Sequence, residues 1–317
     1  MSVIEVRHLT KDYGHGRGIY DVSFDVKKGE VFGFLGPNGA GKSTTMRHLM
    51  GFSKPQSGEA TILNKSCWKQ HESVMKSVGY LPGEIALPEG LNASQFINMM
   101  KKLKGVTTNQ NINEITKIFE VNLSGNIKKM SIGEKRKLAI LVAFMNSPDI
   151  LLLDEPTSGL DPVMQEKFIE YVLEQKNKGE TVLLSSHIFN EVEALCDRIA
   201  IIKEGRIISV VKAEEVRRFK RKTFEIAFKR NEDYQHFITK NTDIRENDEI
   251  HLKVSVGVEN DMTNTFIREL SNYQLLSFTQ HQQTLEDYFM HFYKSDKTFE
   301  GIAAKKGDIQ GGKHHRS

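Results

Sequence analysis

The sequence predicts an α/β layer fold followed by a smaller α+β unit, and three observations carry that reading. Over residues 1 to about 212, short β-rich apolar runs alternate with longer helical stretches, as in a parallel sheet flanked by helices. A glycine-rich segment, Gly36-Pro-Asn-Gly-Ala-Gly-Lys42-Ser43-Thr44, joins one buried run to a helix. Near Arg217 the text changes to period-two alternation of a different composition.

Each element follows from its own pattern. Val22–Val26 alternates apolar and polar residues, as a half-buried strand does, whereas Val31–Leu35 is continuously apolar, as a strand covered on both faces. Ile150–Leu153 and Thr181–Ser185 read as two more buried strands. Between Ile85 and Lys129 the spacing becomes helical, with polar turns such as Thr107–Asn111, and predicts a helical insert beside the sheet. In the second unit Phe224, Ile226 and Phe228 alternate with Glu225 and Ala227, and Ile250, Leu252, Val254 and Val256 with His251, Lys253 and Ser255. Both runs read as strands. Leu285, Tyr288, Phe289 and Phe292 fall on one helix face behind Thr284 as cap, a stripe read as core packing. After Lys294 the chain turns polar and glycine-rich and predicts a disordered tail.

Composition excludes several classes. A net charge of +3 over 317 residues gives no case for a nucleic-acid partner. The longest clean apolar run, Leu138–Met145, is far short of the ~20 residues that span a bilayer. Charged residues arrive by Glu5 and Arg7, which leaves no signal-peptide core. Cys67 and Cys196 give neither a disulfide framework nor metal-site spacing. The expectation is a cytoplasmic protein whose membrane role, if any, runs through a partner.

The glycine-rich segment satisfies the phosphate-loop pattern in the strand-to-helix context that the pattern requires. Gly36, Gly39 and Gly41 let backbone N–H groups approach phosphate oxygens, with Pro37, Asn38 and Ala40 completing the loop. A helix starting at about Lys42 adds its free N–H groups and its dipole. Lys42 then reaches the β- and γ-phosphates of ATP, and the Ser43 hydroxyl joins a Mg²⁺ shell, with Thr44 beside it. Far along the chain, Leu151-Leu-Leu-Asp154-Glu155 is a buried strand ending in two acids, where functional groups of such sheets collect. Two carboxylates there are costly unless used. Asp154 is assigned to Mg²⁺, directly or through water, and Glu155 to the attacking water.

With these, the chain resembles ATP-binding cassette (ABC) ATPases over about residues 3–212. Met130-Ser131-Ile132-Gly133-Glu134 is similar to the family signature, Ser158-Gly159-Leu160-Asp161 to its D-loop, and Ser185-Ser186-His187 to its switch histidine. Tyr13 stands where the family places an adenine-stacking aromatic; an ordinary edge-strand aromatic is the alternative. The resemblance implies a mixed-sheet core with a helical subdomain over about 85–147, then an accessory α+β domain over 217–293. It implies a Mg-ATP-bound pair, a homodimer or a paired cassette, in which Ser131 and Gly133 meet the facing subunit's γ-phosphate. His187 then contacts the γ-phosphate and Asp161 joins the two sites across the interface. A separate membrane-spanning permease is also implied, docked at the helical insert and placing the chain on the cytoplasmic face of the membrane. The C-terminal unit resembles extensions of bacterial exporter ATPases for drugs, antibiotic peptides or ions.

Two positions depart from the family. Ile132 and Glu134 replace the glycine and glutamine usual in the signature. In Val78-Gly-Tyr-Leu-Pro82-Gly83-Glu84, Gly83 stands where the family has a Mg²⁺- and water-contacting glutamine. Either Glu84 replaces it or the permease completes the site, and a φ > 0 at Gly83 would hinder any side chain there. The alternative function is a soluble cassette ATPase of ribosomes or DNA, although the chain shows neither a second phosphate loop nor heptads between Gly36 and Asp154. A plain phosphate-loop kinase or GTPase leaves Ser131, Gly133 and His187 unexplained.

Overall fold

Strands β1 (Ser2–Asp12) and β2 (Gly18–Lys27) pair antiparallel, and β4 (Ser57–Ile62) with β5 (Lys65–Ser66) extends them into a four-stranded sheet of order β2-β1-β4-β5. A second sheet holds β3 (Val31–Leu35), β6 (Val78–Leu81), β7 (Ile150–Asp154), β8 (Thr181–Ser186), β9 (Arg198–Lys203) and β10 (Arg206–Lys212) in the order β10-β9-β3-β8-β7-β6. Its β9-β3-β8-β7-β6 portion is parallel throughout. The structure, a computed structural model, describes residues 1–214, 222–241, 243–258, 262–282 and 289.

The two sheets share a core. Val6, Leu9, Val22 and Phe24 from the first pack with Phe32, Phe34, Leu152 and Leu183 from the second, and the Phe24 and Phe32 rings stack at 5.4 Å. Every residue of β3, β7 and β8 is buried, which is why those runs are continuously apolar while β2 alternates. Helices α1 (Lys42–Leu49), α2 (His71–Met75), α3 (Ala93–Leu103), α4 (Gln110–Phe119), α5 (Ile132–Phe144), α6 (Pro162–Asn177) and α7 (Phe189–Leu195) complete this unit. The insert read from Ile85 to Lys129 contains α3, α4 and a short 3₁₀ turn, Ile127–Lys129. Its supposed polar turn gives way to helix at Gln110, because Ile112, Ile115 and Phe119 form a buried stripe that starts immediately after. Phe119, Phe144, Phe168 and Tyr171 tie α4, α5 and α6 together edge to face, with centroids 5.2–6.5 Å apart.

Chain packing separates a unit at Met1–Val210 from one within Val211–His291. The second is an antiparallel sheet of order β12-β13-β11-β14, from β11 (Lys222–Phe228), β12 (Ile244–Asp248), β13 (Lys253–Val258) and β14 (Leu275–Gln282). Helices α8 (Asn231–Lys240) and α9 (Thr263–Leu270) supply Tyr234, Phe237, Phe266 and Leu270 to its core. The inward alternation of Phe224, Ile226 and Phe228 is as read, with Ala227 buried as well. The strand read across Ile250–Val256 begins only at Lys253: residues 249–252 form a turn, Leu252 has φ 51° and Ile250 is 88% exposed. Asp248 causes the turn by accepting from the N–H groups of Ile250 and His251. Of the helix read at Thr284–Phe292, only Phe289 is described, and it is buried. The boundary near Arg217 and the tail after Lys294 lie outside the described residues.

Candidate functional site

The phosphate-loop residues lie where β3 runs into α1. Gly41 takes φ 110°, and a Cβ there would stand 2.8 Å from Ile19, so only glycine fits both the turn and the space. At Gly36 a Cβ would meet the Ile202 carbonyl at 2.5 Å. Because Gly41 offers no side-chain cap, the N–H groups of Lys42, Ser43 and Thr44 have no intrahelical acceptor, and the first such bond is Thr45 N–H to Gly41 O. That is an anion cradle by construction. Lys42 is buried, with Nζ 2.7 Å from Gly36 O and 3.2 Å from Pro37 O. Asn38, Gly39 and Ser43 are exposed, Pro37 and Thr44 half-buried, and Ala40 buried.

The parallel register brings the distant acids to the same end of the sheet. Asp154, at the end of β7, is buried and accepts from the Ser185 hydroxyl on β8. Glu155, one residue beyond the strand, takes φ 49°, a left-handed conformation disfavoured for a side-chain-bearing residue. Its carboxylate joins three segments: Oε1 is 3.0 Å from Lys42 Nζ, and Oε2 is 2.6 Å from Nδ1 of His187, whose side chain is 47% exposed. Lys42, Glu155 and His187, at least 32 positions apart, therefore form one continuous polar chain. Below it, the Ser186 hydroxyl donates to Glu191 and accepts from Ile188 N–H, which fixes the turn carrying His187. Burial pushes the Glu191 carboxyl up to about 7.

Ser131 caps α5. Its Oγ accepts from Glu134 N–H while Glu134 Oε2 accepts from Ser131 N–H, a reciprocal capping box at the head of the helix, with Ser131 exposed and Gly133 half-buried. Asp161 caps α6 by accepting from Met164 N–H, with Pro162 in the first turn. Tyr13 follows β1, 52% exposed, with its hydroxyl 3.1 Å from Ser53 Oγ and Lys11 Nζ 5.5 Å from the ring centre.

The ABC transporter family model matches residues 19–158. The bacitracin transport ATP-binding protein BcrA of Bacillus licheniformis is 30% identical over 299 residues, 91% of this chain and 96% of that protein. The chain belongs to the ATP-binding subunits of ABC transporters. The lantibiotic transport ATP-binding protein SrtF of Streptococcus pyogenes is 34% identical over 65% of the cassette chain and 89% of its own. The probable multidrug ABC transporter ATP-binding protein YbhF of Escherichia coli is 36% identical over 66% of the chain, which spans only 37% of that longer protein. Among solved structures, an ATP-binding subunit of an ABC transporter superimposes with TM-score 0.63 at 30% identity, covering 68% of this chain and 92% of its own. The dimeric post-hydrolysis state of the cassette MJ0796 with ADP and Pi does so with TM-score 0.60 at 25% identity, covering 66% and 98%. The chain is thus a transport-coupled ATP hydrolase of the ABC type.

Within this cassette the departures acquire physical form. Glu134 keeps the capping role a glutamine would have, and the bonds from Ser131 hold its carboxyl below the usual range. Ile132 is 74% exposed. Gly83 does not adopt a positive φ, so the supposed backbone obstacle to a side chain there is absent; a Cβ would instead meet Asp154 Oδ2 at 3.1 Å. Glu84 is exposed. The contacts of three polar residues at the site went unread in the sequence. Ser185 was legible only as a strand end beside His187, and Glu191 was not singled out. Arg136 was grouped with Lys135 and Lys137 as one basic run, yet it is 3% exposed while its neighbours are half-buried.

Proposed function

We propose that this subunit binds Mg-ATP between two copies, or between itself and a paired cassette, and powers export through a separate permease. The chain Lys42–Glu155–His187 carries the reading, because it gathers a phosphate cation, a carboxylate base and a switch imidazole at one sheet end. Lys42 and the first-turn N–H groups of α1 hold the β- and γ-phosphates, and Tyr13 stacks on adenine. Ser43 and Asp154 fit Mg²⁺, a hydroxyl and a carboxylate being the hard oxygen donors it takes; when bound, the ion offsets charge on the phosphate oxygens. Glu155 orients and polarises the attacking water, and His187 steadies the γ-phosphate. Ser131 and Gly133 present a second anion site, which suits the γ-phosphate of the facing copy, and Asp161 lies at that junction.

Among the described residues no helix is long and apolar enough to cross a membrane, so the spanning part is assigned to another chain. A cavity of about 650 Å³ between α2, β6 and the insert offers a seat for it, walled by Met50, Met75, Tyr80, Met100 and Leu103 beside Lys76. That mixture fits a short amphipathic helix from the permease. Relatives named for bacitracin and lantibiotic transport support export of amphipathic antibiotics as the class of task.

Glu155→Gln tests the reading. The amide keeps the size of the carboxylate but is a far weaker base, so ATP binding should persist while turnover falls by about a hundredfold or more. An ATP-bound dimer should then accumulate on light scattering. A variant that stays monomeric at saturating Mg-ATP contradicts the two-copy arrangement.

A further inference from the structure

Arg136 is the buried cation that the phosphate chemistry leaves unused. It stands five residues after Ser131 on α5 and is 3% exposed. Among the described residues its guanidinium makes no direct ion pair; instead Nη1 donates to Pro82 O at 2.9 Å, Nη2 to Gly83 O at 2.7 Å and Nε to Ser158 O at 2.9 Å. Burying a charge is costly, and three carbonyl contacts together with the fields of Asp154, Glu155 and Glu191 offset part of that cost.

The positions of those carbonyls matter. Gly83 faces Asp154, since a Cβ on it would lie 3.1 Å from Oδ2. Ser158 closes the turn that begins at Glu155, with its N–H on Glu155 O at 3.1 Å. The first turn of α5 touches that same loop: a Cβ on Gly133 would stand 3.0 Å from Gly159 O, and one on Gly159 would stand 2.8 Å from Ile132. One rigid fork thus spans the Ser131–Gly133 turn, the segment facing Asp154 and the loop carrying Glu155. A planar guanidinium meets three acceptors in fixed directions, which a lysine point charge does not.

We propose that Arg136 is a positioning residue that couples the two nucleotide sites of the dimer. Phosphate engagement at Ser131–Gly133 shifts the start of α5, and Arg136 passes the shift to Asp154 and Glu155 of the same chain. Occupying one site thereby aligns the acids of the other. The inference rests on the reading above, in which Ser131 and Gly133 meet ATP held by a second copy.

The test uses the full chain with Arg136→Met and Arg136→Lys, in parallel with Glu155→Gln. ATP affinity of the monomer should stay within about threefold for both Arg136 variants, because the Arg136 hydrogen bonds go to Pro82, Gly83 and Ser158 and not to the phosphate loop. Their kcat should fall by about tenfold or more, and the Hill coefficient for ATP should drop from near two, the limit for about two coupled sites, to near one. Arg136→Lys should restore thermal stability better than the methionine but not the Hill coefficient, so it carries the test if the methionine variant does not fold. A fall in kcat with cooperativity intact in Arg136→Lys would overturn the proposal, leaving Arg136 a structural residue. So would full recovery of cooperativity by lysine. If Glu155→Gln fails to dimerise, the two-copy reading falls and this inference with it. If it dimerises while both Arg136 variants stay cooperative, this inference alone is wrong.

Discussion

The two units of the chain bury different things. In Met1–Val210 the core is interrupted by Lys42, Arg136, Asp154, His48 and Glu191, all below one-tenth exposed. In the second unit the described core is Phe224, Ile226, Phe228, Tyr234, Phe237, Phe266 and their apolar neighbours, with Thr223 the sole buried polar residue described. Buried charge weakens a fold unless each group is paired, whereas an aromatic cluster only strengthens it. The first unit therefore carries the costs of buried charge, and the described core of the second carries only a lesser one, the unpartnered Tyr234 hydroxyl. It follows that damage to the two should read out differently.

The largest expected effect is in the second unit. Phe228 packs against Tyr234, Phe237 and Tyr273 with centroids 5.2–6.1 Å apart. Phe228→Ala should destabilise that unit by about 3–5 kcal/mol and leave ATP affinity unchanged. Calorimetry beside nucleotide titration checks it, and a collapse of ATP binding would erase the contrast between the units. Lys42→Ala is the mirror experiment. Each lost charge-assisted contact to phosphate is worth about 1.5–3 kcal/mol, so ATP affinity should fall about ten- to a hundredfold per contact, with the second unit's melting untouched.

The smallest effect sharpens the cost of buried charge. The Glu191 carboxyl is raised from 4.5 to about 7, chiefly by burial. A group whose folded pKa is raised adds stability that is full below pH 4.5 and is lost as the pH climbs through 7. At about 1.4 kcal/mol per unit, the loss is on the order of 3–4 kcal/mol. Glu191→Gln still accepts from Ser186, so its melting temperature relative to the parent should rise between pH 5 and 8. Equal pH profiles for both proteins would show that Glu191 is ionised at no such cost.

Legibility in the sequence followed the reach of each signal. Contiguous motifs were readable because the chemistry is local: Gly36–Thr44 needs its glycines in one loop, and Asp154-Glu155 announces itself by standing at the end of an apolar run. The buried strands β3, β7 and β8 were readable for the same reason. The antiparallel sheet β2-β1-β4-β5 was not, since β4 carries Ser57, Gly58 and Glu59, and its pairing with β1 spans about fifty positions. Ile250 misled because alternation continues through a turn whose cause is the Asp248 side chain. Arg136 was hidden between two lysines, and only the fold shows which of the three cations points inward.

Lys42 holds Glu155 at 3.0 Å and His187 holds its other oxygen at 2.6 Å. On the roles proposed above, this makes the site an interlock. A carboxylate engaged by an ammonium and an imidazole has both oxygens occupied when a water arrives. A γ-phosphate competes for the same two donors, and drawing them away is what releases the glutamate to act. Fuel and ignition are then wired in series, and a subunit built this way idles cold until its own nucleotide turns the key.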